Sequence, residues 1–261
     1  MTVQDIYDFI DTLAPFSAQA DFDNAGLLLG DPHQEITGIH VALDATEGVL
    51  DEALQHGANL IVTHHPLMFA SRQRLVEDDA EAHLLCRMIR NRVALIAAHT
   101  NLDQAPGGIN DVLAAYCGLT EVSGGGYLRI GNLPEGETPA TLIPRLKFAL
   151  NTTVRVMGQM PPDRPLRRMA VSSGAGSDSW AEAVQMGADV FLTGEMKHHH
   201  ALALAQEGVL GLEAGHFATE EPGIFALADA LQMRLNRVQC KGYVSKSHQG
   251  GYAGRYGTGG L

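Results

Sequence analysis

The chain has 261 residues, of which 45% are apolar, and a formal net charge of −12. That length buries a large core in one or two domains. The acidic balance, with no Lys/Arg-rich block, argues against nucleic acid as a partner, and no run of about 18 apolar residues offers a membrane span.

Residues 3–13 predict an amphipathic helix, with Val3, Ile6, Phe9, Ile10 and Leu13 at helical spacing. The opening Met1-Thr2-Val3-Gln4-Asp5 is acidic rather than basic-then-apolar, so no signal peptide is expected there. Asp23-Asn24-x-Gly26-Leu27 reads as a turn. Residues 36–44 are β-branched and alternating and predict a strand, and Thr46 is placed to cap a helix over 46–56. Strand 58–63, helix 79–91, strand 93–98 and helix 109–116 follow. The Gly- and Pro-rich segment 103–108 reads as a loop between the last two. The stretch 121–166, with Gly124-Gly125-Gly126 and six prolines from Pro134 to Pro165, reads as a connecting segment. Within it 139–150 still looks helical and Thr152-Val154-Val156 reads as an edge strand. The rhythm then restarts: strand 169–171, helix 178–186 capped by Ser177, strand 189–192, helix 196–206, strand 209–214 and helix 219–233. The predicted organisation is therefore a first α/β lobe over 1–120, the connecting segment 121–166, a second lobe over 167–240 and an atypical Gly-rich tail over 241–261. Strand–helix alternation implies mostly parallel sheets with right-handed crossovers.

In such sheets ligands gather beyond the carboxyl ends of the strands, and the chain places its metal-binding residue types there. Gly57-Ala58-Asn59-Leu60-Ile61-Val62-Thr63 runs into His64-His65-Pro66, and its echo Gly187-Ala188-Asp189-Val190-Phe191-Leu192-Thr193 runs into Gly194-Glu195. Two further strands end in His-x-x-x-carboxylate: His99 to Asp103, and His216 to Glu220. Imidazole with carboxylate is a donor set for zinc, iron or manganese. Two divalent ions need a bridging carboxylate, and together they bring the pKa of a shared water toward neutrality. His64 and His65 are placed to give one nitrogen to each ion, His216 another, and Asp103 and Glu220 the oxygens. His99 is a candidate ligand, orienting group or pocket acid. Glu195 suits a proton shuttle, or equally an acid at a helix N-terminus. His198-His199-His200 cannot all meet one ion on a helix. Gly174-x-Gly176 is a weak phosphate-loop signal. The three cysteines, Cys86, Cys117 and Cys240, form no CxxC and no disulfide framework, as expected of thiols in a reducing cytoplasm.

Taken together, Asp23-Asn24-Ala25-Gly26-Leu27, Thr63-His64-His65-Pro66, His99-Thr100-Asn101-Leu102-Asp103, Thr193-Gly194-Glu195 and Gly215-His216-Phe217-Ala218-Thr219-Glu220 resemble the NGG-interacting-factor-like dinuclear metal proteins, the GTP cyclohydrolase 1 type 2 homologues. The resemblance covers about residues 1–235. It implies two similar α/β lobes facing each other across a dinuclear metal site. In that site His64 and His216 hold one ion, His65 and Asp103 hold the other, and Glu220 bridges them. It also implies a toroidal homohexamer with its sites facing an inner cavity. The activity implied is metal-dependent hydrolysis of a nucleotide or related heterocycle or phosphoester, with GTP ring opening and formate release as the type reaction. His99 and Glu195 are the candidate catalytic residues. Arg72, Arg74 and the glycines near 174 are the candidates for a triphosphate clamp. A non-catalytic metal carrier or regulatory scaffold would use the same ligands. The chain departs from the family in its tail, 241–261, which lacks the usual apolar strand and puts the last strand of the second lobe in doubt.

Overall fold

Two sheets organise the chain. The computed structural model describes residues 1–237 and the backbone of 244–246. In chain order the first elements are α1 (Val3–Leu13), β1 (Gly26–Leu29), β2 (Ile39–Ala42), α2 (Glu47–Gln55), β3 (Leu60–Thr63), α3 (Ala80–Arg90), β4 (Ala94–Ala97) and α4 (Thr100–Gln104). Next come α5 (Ile109–Tyr116), β5 (Thr120–Ser123), β6 (Arg129–Asn132), α6 (Pro139–Ala149), β7 (Arg155–Met157), β8 (Arg168–Ser172), α7 (Trp180–Gln185), β9 (Val190–Thr193), α8 (His198–Gln206), β10 (Leu210–Glu213), α9 (His216–Arg237) and β11 (Val244–Lys246).

One compact unit comprises Met1–Pro106 and resumes at Ile224; the other is Gly107–Gly223. The first holds a five-stranded sheet in the order β1-β4-β3-β2-β11. Strands β4, β3, β2 and β11 pair in parallel, and β1 is antiparallel on the edge. Residues alternate across its pleat, so Ala42, Ile61 and Leu95 share one face and pack with Val49, Leu50 and Ala53 of α2 and Leu84 and Met88 of α3. Local chemistry sets the helix starts. Thr2 and Asp5 form a reciprocal capping box on α1, while Thr46 and Asp79 cap α2 and α3.

The second unit holds a six-stranded mixed sheet, β5-β6-β8-β9-β10-β7, whose parallel core is β8-β9-β10. Both of its faces are covered. Met169, Val171, Val190 and Leu192 point to a cluster that includes Leu113 of α5 and Leu142 and Leu146 of α6. Ala170 and Phe191 point to another, with Ala183 of α7 and Leu204 of α8. Burial on both faces explains why these strands read as continuous apolar runs. The repeated heptapeptide also has a shared geometry. Gly57 and Gly187 take positive φ (71° and 78°) just past α2 and α7, and the chain then turns into β3 and β9.

Several expectations need correction. The stretch 121–166 is not a connector, because β5, β6 and β7 belong to the second sheet and α5 packs on β6 and β8. The second unit therefore starts at Gly107 rather than 167. The tail expected to be foreign contributes β11, which pairs in parallel with β2 of the first sheet; the rest of 241–261 lies outside the described residues. Strand β1 went unforeseen because it is only four residues long and begins inside a Gly-containing turn. The helix expected over 178–186 begins as a 3-10 turn over Gly176–Ser179, and Ser177 is not its cap.

Candidate metal centre

In the first unit the strand ends converge. His64 and His65 follow β3, where the Thr63 hydroxyl donates to the His65 carbonyl at 2.8 Å and closes a tight turn. His64 is buried, and its Nδ1 lies 2.8 Å from the Ala98 carbonyl just past β4. A carbonyl only accepts, so that nitrogen carries the proton and Nε2 carries the lone pair. His64 Nε2 sits 3.5 Å from Asp103 Oδ1. His65 Nδ1 donates to Asp44 Oδ1 at 2.7 Å, which sets the same tautomer. A carboxylate behind an imidazole in this way fixes the ring and raises its basicity as a ligand. His99 precedes α4, and Asp103 lies one turn on, its amide bonded to the His99 carbonyl at 3.0 Å. Ring nitrogens of His64, His65 and His99 lie within 4.8 Å of one another.

His99 has its own carboxylate. Its Nδ1 donates to Asp23 Oδ1 at 2.8 Å, and Asp23 also accepts from the Thr100 amide at 3.0 Å and the Thr100 hydroxyl. Burial pushes the Asp23 pKa up, but the bonds from His99 and Thr100 outweigh it and hold this carboxyl well below the usual carboxylate range. Asp23 is therefore a carboxylate at any working pH.

The second unit carries the remaining two expected ligands, His216 and Glu220. His216 opens α9 and Glu220 lies one turn on, with His216 Nε2 at 3.1 Å from Glu220 Oε2. Helix α9 starts three residues earlier than the sequence pattern predicts, which puts both residues on one helical face. Glu195 lies 3.0 Å from His216 Nδ1, in the role that Asp44 plays for His65. It is not a helix N-terminal acid, since α8 begins at His198. The backbone around this pair is tight. A Cβ on Gly174, at φ +55°, would stand 2.1 Å from Glu220 Oε1, and one on Gly194 would stand 2.5 Å from the Gly174 carbonyl oxygen. Gly174 and Gly194 serve close approach, and α7, the helix that follows Gly174-x-Gly176, has only six residues. Close approach to Glu220 is the role the structure gives Gly174.

Arg72 and His200 have partners of their own. Arg72 is held by Asp79 and Glu81. His200 is buried against Ser177, its Nδ1 at 3.1 Å from the hydroxyl. Sequence reasoning missed Asp44 and gave Asp23 no role. Asp44 stands two residues past β2 and met the same strand-end rule that found the others; it was missed because no histidine marks it.

The family model for Duf34/NIF3 (NGG1p interacting factor 3) matches residues 1–249. A GTP cyclohydrolase 1 type 2 homolog of Clostridium perfringens is 32% identical over 246 residues, covering 90% of this chain and 93% of that one. The protein of the same name from Clostridium acetobutylicum is 30% identical over 249 residues, covering 91% and 92%. Among solved structures, Staphylococcus aureus protein SA1388 superposes with a TM-score of 0.87 at 27% identity, over 98% of this chain and 99% of that one. Reduced HcgD from Methanocaldococcus jannaschii gives 0.81 at 26%, over 95% and 98%. With a family model matched over nearly its whole length, this chain belongs to the Duf34/NIF3 family.

Proposed function

We propose that the chain is a dinuclear-metal-dependent hydrolase of the GTP cyclohydrolase 1 type 2 kind, acting on a nucleotide or a related heterocycle. One observation carries this reading. Each expected histidine ligand has its Nδ1 against an oxygen, namely the Ala98 carbonyl, Asp44 and Glu195, and this orients Nε2 with its lone pair for a metal. Rings held in that way are prepared for an ion rather than left to solvent. In this reading His64 and His216 hold one ion, His65 and Asp103 hold the other, and Glu220 is shared.

Bound divalent ions would supply Lewis acidity and acidify water at the site. The chain's own groups do the rest. Asp44 and Glu195 orient the imidazoles they touch, which makes Glu195 a positioning residue before it is an acid. His99, anchored through Nδ1 to an ionised Asp23, is the group placed to hold or move a proton at Nε2. The relatives' shared name points to GTP as the first substrate to try.

The test is formate release from GTP by metal-loaded protein, alongside a panel of nucleotides and phosphoesters. His99→Gln should lower turnover by about 10²–10⁴, the scale of a lost acid–base group, with metal content near normal, whereas His65→Ala or Asp103→Ala should lower both. If metal-loaded protein turns over none of these yet delivers its metal to an apo-acceptor protein, the hydrolase reading fails and a metal carrier takes its place.

A further inference from the structure

Asp23-Asn24 reads in sequence as a turn without a role. In the structure its two side chains do separate jobs on one side of the histidine cluster. Asp23 accepts from His99 Nδ1. Asn24 Nδ2 donates to the Met68 carbonyl at 2.6 Å, across 44 residues of chain, and so ties down the segment that follows His64-His65-Pro66. Leu67, on the same segment, packs against the core of the first unit. Phe69 therefore sits on an anchored stretch, yet it is 54% exposed. Its ring stands edge-on to His99, with centroids 5.5 Å apart and planes at 82°. A large aromatic side chain held open to water beside a ligand-type cluster has unused stacking surface, and bases stack on such rings.

We infer that Phe69 and His99, positioned by the Asp23-Asn24 turn, form a subsite for a planar heteroaromatic ring, so that the substrate is recognised by its base as well as by any phosphate. This rests on the nucleotide reading above and names the part of the nucleotide that the first unit holds. Phe69 is the specificity residue. Asn24 is a positioning residue, acting through the 66–70 segment.

The test is equilibrium dialysis of metal-loaded full-length protein with guanosine 5′-monophosphate and, separately, ribose 5-phosphate. Metal content is measured on the same samples. Wild type should prefer the base-containing ligand. Phe69→Ala should weaken its binding about tenfold, the scale of one base–aromatic stack, and leave ribose 5-phosphate binding and metal content unchanged. Phe69→Tyr should restore the preference, and Asn24→Ala should show the same selective loss. Equal losses on both ligands, no loss on either, or a wild type without the preference would overturn the inference. So would a change in particle size with the base preference intact. Binding is read without turnover, so a protein that hydrolyses nothing but still discriminates in this way would fail the hydrolase proposal and keep the subsite.

Discussion

At the scale of single residues, the groups behind the proposed ligands hold the imidazole rings in place. Asp44 accepts from the rear nitrogen of His65 at 2.7 Å. Asp44→Ala should therefore cut metal affinity by about 10–100-fold while the fold survives, as titration with a competing chelator would show. Asp44→Asn, which keeps an acceptor oxygen, should fall between. His40 lies away from this cluster, buried in β2 with Nε2 at 3.2 Å from Glu52 Oε2. Burial lowers its pKa from the ordinary 6.5, and the bond to Glu52 only partly offsets that. Below that value the unfolded chain binds a proton the folded chain resists, so stability falls as pH drops from 6.5 toward the lowered pKa. His40→Gln should flatten the wild-type curve in that window in urea melts, and parallel curves would contradict the assignment. Cys117 makes a simpler case. Burial pushes its thiol up to about 12, so it should resist thiol reagents at pH 8 until the protein is denatured.

At the scale of elements, the glycine after β8 is the sharpest test. Gly174→Ala would place a methyl 2.1 Å from Glu220 Oε1 on a backbone at φ +55°. Either Glu220 moves or the strand end does, so metal retention should fall together with about 1–3 kcal/mol of stability. Gly107→Ala is the control, since φ is +73° there but nothing lies within 4 Å. It should cost about 1 kcal/mol and leave metal binding alone. What was legible in sequence follows the same physics. Buried parallel strands such as Leu60–Thr63 and Val190–Thr193 announce themselves by apolar runs, the helix Val3–Leu13 by its helical apolar spacing, and the helix Glu47–Gln55 by its cap Thr46. The strand-end rule singled out His64, His65, His99, Asp103, His216 and Glu220 as candidates because each follows such a run. Short antiparallel edges carry no comparable signal. Thr120–Ser123 is exposed throughout, and Gly131 sits inside β6 where Thr120 and Leu119 leave no room for a side chain. β5 pairs with β6 next along the chain, while β6 also needs β8, some way further on, so the apolar pattern of neither strand announces it. Asp23 and Asn24 were opaque for a related reason, since their meaning lies in His99 and Met68.

At the scale of the whole molecule, family membership covers residues 1–249, and among the described residues no helix is long and apolar enough to cross a membrane. The sequence resemblance leads us to propose a closed homohexamer, a ring being the expected outcome of symmetric association. Light scattering should report about six chains per particle, and a clean monomer at micromolar concentration would count against it. A truncation that probes the tail must begin after Lys246, because removing 241–261 would also strip β11 from the first sheet. The central claim is that His64, His65, Asp103, His216 and Glu220 share a pair of ions. Elemental analysis of metal-loaded, dialysed protein tests it most directly. The account predicts two divalent ions per chain in wild type, with Glu220→Ala losing more metal than any single histidine variant because both ions depend on it. One ion or none in fully loaded wild type, or a Glu220→Ala protein that keeps both, would contradict it.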